Sequence, residues 1–215
     1  MEWAIRRRLM VERQLRGRGI HDERVLAAML EIPREEFVPA ASRLEACQDE
    51  AIQIGHGQTI SQPYMVALMA QVLELTGTET VLEVGGGCGY HAAVLGALAA
   101  RVVTVELIPE LAGMARQNLE RTGRSHNILV VNADGSRGYA EGAPYDAISV
   151  AAAAPDIPPA LLEQIKDPGR LTMPVGPSWN QELLVLHKAG GKTTSRVATY
   201  CRFVPLREGP PPALD

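Results

Sequence analysis

The sequence predicts an α/β fold in which a doubly wound, mostly parallel sheet is followed by a C-terminal antiparallel hairpin. From residue 79 onward, short β-branched runs alternate with helical segments, a pattern typical of parallel strands joined by right-handed crossovers. A glycine-rich loop follows the first of these strands, and a short glycine-containing link joins the last two. The 215 residues are 46% hydrophobic and 21% charged, which is ordinary globular composition.

The N-terminal region is predicted to be a helical extension of this fold. A first helix is expected over residues 2–16, ended by Gly17 and Gly19, with four side chains facing inward: Trp3, Leu9, Met10 and Leu15. Asp22 is expected to cap a second helix that runs to about Leu30, because Pro33 blocks its extension.

The stretch from Pro39 to Gly57 lacks clean periodicity and is predicted to be irregular. Pro63 is a favourable first helical residue, and Ser61 or Gln62 directly precedes it. A helix packed against the core is therefore expected from Tyr64 to Leu75.

The remaining elements form the predicted sheet and its helices. The expected strands are Thr80–Val84, Arg101–Glu106, Ile128–Val131, Tyr145–Val150, Arg170–Pro174, Glu182–His187 and Ser195–Val204. The expected helices are Tyr90–Leu98, Pro109–Thr122 and one that starts at Pro158 and Pro159. We predict a single domain over residues 1–215. It consists of an extension at 1–75, a core at 76–206 and a frayed tail at 207–215.

Composition excludes several classes of function. A net charge of −4 argues against nucleic acid as the main partner. The three cysteines, Cys47, Cys88 and Cys201, are far apart and show no metal-ligand spacing, so neither a zinc site nor a disulfide scaffold is expected. No run of 18 apolar residues and no secretory signal is found, so we expect a cytoplasmic protein without a membrane partner, and a monomer.

The glycine loop at the end of the first core strand predicts a nucleotide-like site. Gly85, Gly87 and Gly89 fit the pattern GxGxG, whereas the dinucleotide fingerprint needs a glycine where Tyr90 stands. NAD is therefore disfavoured. Glu106 ends the second strand about twenty residues later, where an acid can accept hydrogen bonds from both hydroxyls of a ribose.

Two further acids belong to the same predicted edge of the sheet. Glu83 lies inside the first strand, and burying a charge is costly, so its carboxylate is expected to meet loop amides or the ammonium end of a cofactor. Asp134 and Gly135 end the third strand, where a carboxylate can meet an adenine amino group. That dipeptide is also typical of a simple turn.

Several segments together resemble one enzyme family. VLEVGGGCGYHAAVL, at residues 81–95, is similar to the first motif of S-adenosylmethionine-dependent methyltransferases. Residues 10–29, 32–39, 54–69, 144–155 and 173–176 resemble protein-L-isoaspartate O-methyltransferases specifically. Among these, QTISQP at residues 58–63 is the most specific, and the resemblance covers roughly residues 8–206.

The resemblance implies a reaction and a cofactor. A methyl group passes from S-adenosyl-L-methionine to the α-carboxylate of an L-isoaspartyl residue in a damaged protein or peptide, and S-adenosyl-L-homocysteine is left. The methyl ester then collapses to a succinimide whose hydrolysis restores some normal aspartate. The acceptor carboxylate is already ionised near pH 7, so no strong base and no metal are expected.

The resemblance also implies site residues. Ser61 corresponds to the family's catalytic-site serine, with helix capping as its alternative role. Gln58, Thr59, Ile60 and Gln181 correspond to positions near the cofactor or substrate, whereas His56 is expected to have only a loop role. The chain departs from the family pattern at Gly86 and Cys88, where threonine and serine are usual, and at Ala151, where threonine is common.

Three alternative functions remain open at this point. A related carboxyl methyltransferase that modifies one dedicated peptide would carry nearly the same motifs, although this chain has little spare length for a partner-binding segment. A cofactor-binding scaffold without turnover is opposed by the intact Ser61, Glu106 and glycine loop. An NAD oxidoreductase is opposed by the missing third glycine and by the lack of a substrate domain.

Overall fold

The computed structural model describes residues 2–209. In that part of the chain, three α-helices and a small hairpin precede the central sheet: α1 (Glu2–Met10), α2 (Glu23–Glu31), β1 (Ile52–Gly55), β2 (Gln58–Ile60) and α3 (Pro63–Val72). As predicted, Asp22 caps α2, and its carboxylate accepts hydrogen bonds from the amides of Arg24 and Val25. Pro63 opens α3, also as predicted.

The central sheet has seven strands: β3 (Thr80–Val84), β4 (Arg101–Glu106), β5 (Ile128–Asn132), β6 (Tyr145–Val150), β7 (Ile165–Val175), β8 (Gln181–Ala189) and β9 (Lys192–Cys201). The connecting helices are α4 (Tyr90–Leu98), α5 (Pro109–Arg121) and α6 (Pro159–Gln164). The strand order is β5-β4-β3-β6-β7-β8-β9, with the first five strands parallel and the last two antiparallel. The predicted fold class, including the terminal hairpin, is confirmed.

The two faces of the sheet are buried in two apolar clusters. Val81, Val102 and Ala147 belong to one cluster, together with inward side chains of α2, α3 and α4. Leu82 and Val84 belong to the other, together with Leu161 of α6 and neighbouring strand residues. Successive side chains of a strand point to opposite faces, and each buried Val or Leu contributes about 1.5–3 kcal/mol. The sheet therefore holds the carboxyl ends of β3, β4 and β6 rigidly at one edge.

The first predicted helix continues beyond Met10, but it does not stay an α-helix. The chain widens into a π-helical turn at Val11–Leu15 and tightens into a 3-10 turn at Arg16–Arg18. The wide turn places both Val11 and Leu15 in the core, while Leu9, which was expected to face inward, is 44% exposed. Trp3 is half-buried, and Met10 and Leu15 are buried as predicted.

The prediction of an irregular stretch from Pro39 to Gly57 missed two features. Residues Ala40–Glu45 form a 3-10 helix, and β1 pairs with β2 in a short antiparallel hairpin. The hairpin escaped recognition because β2 has only three residues and its turn contains His56, whose φ of 53° is unusual outside glycine.

Strand β7 begins five residues earlier than predicted. Ile165 already pairs with Tyr145, and an irregularity between the two strands absorbs residues 166–169 before Arg170 pairs with Ala147. Pro168 and Gly169 resemble a turn in sequence, which hid the first half of the strand. Within residues 2–209, no helix is long and apolar enough to cross a membrane. The predicted fraying at Pro210–Pro212 lies outside the described residues.

Candidate active site

The glycine loop lies between the end of β3 and the start of α4. Gly85, Gly87 and Gly89 all adopt positive φ values, between 52° and 87°, which side chains rarely tolerate. The amides of Gly85 and Gly86 both donate to the carbonyl of Val105, at 2.9 and 3.2 Å. The loop is therefore pinned to β4, and its backbone can pass close to a ligand.

Gly86 has a separate reason to be glycine in this chain. A β-carbon there would collide with the hydroxyl of Thr104, which lies in β4 opposite Glu83. This chain therefore has glycine at position 86, instead of the usual threonine, where the hydroxyl of Thr104 on the neighbouring strand leaves no room for a side chain. Cys88 is buried, and burial raises the pKa of its thiol to about 11, so the thiol stays protonated and unreactive near pH 7.

Glu106 connects the loop to the following strand end. One carboxylate oxygen accepts a hydrogen bond from the amide of Gly87 at 2.8 Å, and the other accepts one from the amide of Ile108 at 2.9 Å. The residue is only 6% exposed. A carboxylate has about four acceptor positions, so each oxygen can accept one more hydrogen bond. The geometry leaves Glu106 able to bind a diol while it shapes the loop.

A cavity of about 830 Å³, counting its open mouth, lies against this loop. The cavity brings together nine of the predicted site residues: Gln58, Thr59, Ile60, Ser61, Glu83, Gly85, Gly87, Glu106 and Gly135. One wall therefore comes from the carboxyl edge of the sheet, and the opposite wall comes from β2 and the start of α3.

Glu83 is fully buried on the floor of this cavity, and neither of its carboxylate oxygens has a hydrogen-bond partner in residues 2–209. Of the two predicted partners, the loop amides are therefore wrong, and the ammonium end of a cofactor stays a prediction. Its nearest charged or ionisable contact is His91 of α4, whose Nδ1 lies 3.5 Å from Oε1 of Glu83. A buried carboxyl group with spare acceptor positions, lining a cavity, is well placed to bind a donor from outside the chain.

The protonation of this pair follows from burial. Burial raises the pKa of Glu83 to about 8; the hydroxyl of Thr104 on the neighbouring strand opposes this shift, and the nearby charge of Glu106 adds to it. Burial lowers the pKa of His91 to about 4. Near pH 7 both groups are therefore neutral in the free protein, and a cation bound beside Glu83 would favour its carboxylate form.

Replacing Glu83 with glutamine is expected to flatten the pH dependence of stability. In the folded protein Glu83 keeps its proton up to its pKa of about 8, whereas the unfolded chain releases it near the ordinary 4.5, so the folded state loses stability as pH rises between those values. His91 opposes this trend below pH 6.5, because its folded pKa is lowered to about 4. Between pH 6.5 and 8 the free energy of unfolding should fall by about 2 kcal/mol through Glu83 alone.

Urea unfolding at pH 6.5 and pH 8.0 measures this effect on the wild type and on Glu83→Gln. The glutamine variant has no proton to lose at this position, so its decline should be smaller by about 2 kcal/mol. An equal decline in both proteins would show that Glu83 is not the titrating group.

Ser61 stands on the opposite wall, just before α3. Its alternative role as a helix cap is not supported, because the N-cap residue is Gln62 and its side chain makes no capping hydrogen bond. The amide of Tyr64 donates instead to Oδ1 of Asp49 at 2.9 Å, so the helix end is capped from a preceding loop. Ser61 lines the cavity and is free for another task.

Three predicted site residues do not line the cavity. Gly89 forms the N-cap of α4. The carboxylate of Asp134 accepts hydrogen bonds from Ser136 and from the amide of Gly209, and it borders a neighbouring surface cleft. Gln181 is buried, and its amide group both accepts from the backbone amide of Phe203, at 2.6 Å, and donates to the carbonyl of Phe203.

The contacts of Gln181 reveal a segment that the sequence reasoning missed. Residues 204–207 follow β9 and cross to the cavity, where all four line the wall. The amide of Ala153 donates to the carbonyl of Val204 at 2.9 Å, and the amide of Leu206 donates to the carbonyl of Ala153 at 2.7 Å. Gln181 and Ala153 thus hold this segment in place. His91 and Leu107 were also missed as lining residues, whereas Ala151, where the sequence departs from the family pattern, does line the cavity.

Comparison with known proteins adds an independent observation. The family model for protein-L-isoaspartate(D-aspartate) O-methyltransferase matches residues 6–210. A protein-L-isoaspartate O-methyltransferase from Koribacter versatilis is 51% identical over 204 residues, which cover 95% of this chain and 91% of the relative. One from Hyperthermus butylicus is 49% identical over 211 residues, which cover 93% of this chain and 88% of the relative.

Solved structures agree with the sequence relatives. A protein-L-isoaspartate O-methyltransferase structure superimposes with a TM-score of 0.81 at 30% identity, and the match covers 93% of this chain and 65% of that one. A structure described as a protein-L-isoaspartate O-methyltransferase from Plasmodium falciparum, in complex with S-adenosyl-L-homocysteine, gives a TM-score of 0.79 at 25% identity. The match covers 94% of this chain and 99% of that one.

Proposed function

The chain belongs to the protein-L-isoaspartate(D-aspartate) O-methyltransferase family, whose enzymes depend on S-adenosyl-L-methionine, and we propose that the cavity at the glycine loop is where it methylates L-isoaspartyl residues. The observation that carries the proposal is that a single cavity joins two walls of different chemistry. One wall has the glycine loop and two acids, and the other has Gln58–Ser61.

The residues of the first wall fit the cofactor. The unpartnered carboxyl of Glu83 provides an acceptor for the ammonium of its methionine part. Glu106 provides the acceptors for the two ribose hydroxyls, and Gly135 lines the cavity beyond the end of β5, where we place the adenine. Because Gly85 and Gly87 carry no side chains, the backbone leaves room for the chain that connects these parts.

The second wall has to orient the acceptor. When bound, S-adenosyl-L-methionine supplies an electrophilic methyl group attached to a positively charged sulfur. The hydroxyl of Ser61 donates a hydrogen bond to one oxygen of the acceptor carboxylate. This bond orients the carboxylate so that its second oxygen points at the methyl carbon. No base is needed, because the carboxylate is already ionised near pH 7. Alignment is the main task left to the protein.

The segment at residues 204–207 covers the place where the two walls meet. Val204, Pro205 and Leu206 present apolar side chains to the cavity, and Ile60 faces it from β2. Excluding water strengthens each polar contact inside and protects the methyl donor from hydrolysis. Gln181 is a positioning residue for residues 204–207, because its side chain forms two hydrogen bonds with the backbone of the preceding Phe203.

The setting in which the enzyme works belongs to the same proposal. Cys47, Cys88 and Cys201 are all free thiols, which fits a reducing compartment such as the cytoplasm. We place the enzyme there as a monomer that acts on isoaspartyl proteins and peptides, without nucleic acid or membrane as partners.

A repair assay tests the proposed function. A synthetic peptide with one L-isoaspartyl residue is incubated with the protein and S-adenosyl-L-methionine, and the peptide species are separated over time. The isoaspartyl peptide should decline while a succinimide and the normal aspartyl peptide accumulate, with one S-adenosyl-L-homocysteine formed per methylation. A peptide that stays unchanged while the protein binds the cofactor would overturn the proposal.

A further inference from the structure

The proposed function leaves an electrostatic problem that the catalytic serine does not solve. The methyl acceptor is an anion, yet the main cavity already contains the carboxylate of Glu106, and Glu83 becomes a second carboxylate once it binds the ammonium of the cofactor. Arg207 also lines this cavity, on the segment that follows β9. Like charges brought together away from water repel, so a substrate carboxylate needs a cation on its own side of the site. A serine hydroxyl supplies only a neutral donor.

A second, smaller cavity, of about 350 Å³ counting its open mouth, lies beside the first one. The two cavities share Thr59, Ser61, Ala151 and Val204, so they meet at the catalytic serine. Among the described residues that line the smaller cavity, Arg202 is the one that carries a charge. It follows β9 directly and precedes Phe203, whose backbone Gln181 holds. The backbone next to Arg202 is therefore held in place, in the wall of a cavity that Ser61 also lines.

The guanidinium of Arg202 has no competing partner within residues 2–209. Most arginines of the chain form ion pairs or hydrogen bonds with neighbours, as Arg18 does with Asp49 and Arg170 with Glu74. Neither an ion pair nor a side-chain hydrogen bond engages Arg202 in the part of the chain that the structure describes. An exposed arginine beside a polar cavity is able to bind an incoming carboxylate.

We propose that Arg202 is the positioning and specificity residue that recognises the negative charge of the isoaspartyl carboxylate, an inference that rests on the proposed function. The guanidinium of Arg202 donates a hydrogen bond to the carboxylate oxygen that does not react, and the hydroxyl of Ser61 orients the same carboxylate. The other oxygen forms its bond to the methyl carbon as the carbon–sulfur bond breaks. The electron pair of that bond neutralises the sulfur, and no proton moves.

This arrangement has a consequence for release of the product. The methyl ester is neutral, so the attraction to Arg202 is largely lost once the transfer is complete. A charge-assisted hydrogen bond is about twice as strong as a neutral one. The same residue therefore favours the acid over neutral analogues before the reaction and weakens binding of the ester afterwards.

The test compares an isoaspartyl peptide with an analogue in which the α-carboxylate is an amide. Calorimetry measures the binding of each to protein saturated with S-adenosyl-L-homocysteine, for the wild type, Arg202→Gln and Arg202→Lys. The wild type should prefer the acid by about 10- to 100-fold, the range expected for one hydrogen bond to a charged group. Arg202→Gln should lose that preference while its affinity for S-adenosyl-L-homocysteine is unchanged, and Arg202→Lys should keep part of it.

Arg196→Gln is the matched control. Arg196 is an exposed residue of β9 that lines neither cavity, so this variant loses the same charge and should keep the full preference. In steady-state assays, Arg202→Gln should raise the KM for the peptide 10- to 100-fold with a smaller effect on kcat. Arg207 lines the main cavity, so Arg207→Gln is measured as well. The proposal would be overturned if Arg202→Gln kept the full preference for the acid, or if Arg207→Gln lost that preference and Arg202→Gln did not. Failure of the proposed function would differ, because the wild type itself would transfer no methyl group.

Discussion

Replacing Glu106 with alanine is expected to weaken binding of S-adenosyl-L-methionine by about 2–4 kcal/mol, or roughly 30- to 1,000-fold, because two hydrogen bonds to a charged acceptor are lost. The structure adds a second cause. The same carboxylate accepts the amides of Gly87 and Ile108, so the variant also releases the loop that should cradle the cofactor. Titration calorimetry measures the affinity directly.

Two comparisons sharpen the Glu106 experiment. Glu106→Gln keeps the shape of the side chain but places an amide NH₂ against one of the two backbone donors, so its loss of affinity should approach that of alanine. Glu110→Ala removes an equal charge from an exposed position in the first turn of α5 and should bind the cofactor normally. An affinity of Glu106→Ala within twofold of the wild type would exclude Glu106 as the ribose ligand.

Replacing Ser61 with alanine is expected to reduce turnover by tens- to thousands-fold, in line with the loss of one positioning hydrogen bond in an active site. Affinity for the cofactor should barely change. The melting temperature should also stay close to that of the wild type, because Asp49, and not Ser61, supplies the side-chain hydrogen bond at the start of α3. A helix-capping serine would instead cost about 1 kcal/mol of stability.

One preparation of Ser61→Ala separates the catalytic role from a structural one. Turnover, cofactor affinity and melting temperature are measured side by side, with Ser42→Ala as the control for loss of a hydroxyl outside the two cavities. Near-normal turnover together with a lowered melting temperature would contradict a catalytic role for Ser61.

The elements of the sheet were predictable because their signals are local. Val, Ile and Thr runs bounded by Gly, Pro or Asp mark the strands β3 to β6 at nearly the observed bounds. The π-helical turn after Met10 and the early start of β7 were not predictable. Both depend on packing and on pairing with a distant strand, which override the local preference of the residues involved.

The same division applies to the candidate site. The glycine loop, Glu106 and Ser61 lie in contiguous motifs, so the sequence alone indicates them. His91 and the segment at residues 204–207 reach the cavity only through the fold, since the segment lies about 120 residues beyond the loop that it faces. Gln181 and Asp134 carry suitable chemistry, but their hydrogen bonds to Phe203 and Gly209 use that chemistry to hold the chain.

The most direct test of the central claim is a competition between two peptides of identical sequence, one with L-isoaspartate and one with normal aspartate at the same position. Both are present at equal concentration in one reaction with labelled S-adenosyl-L-methionine, and chromatography separates them before the label is counted. The proposed function predicts that nearly all of the label enters the isoaspartyl peptide. Equal labelling of the two peptides, or no labelling of either, would contradict the account.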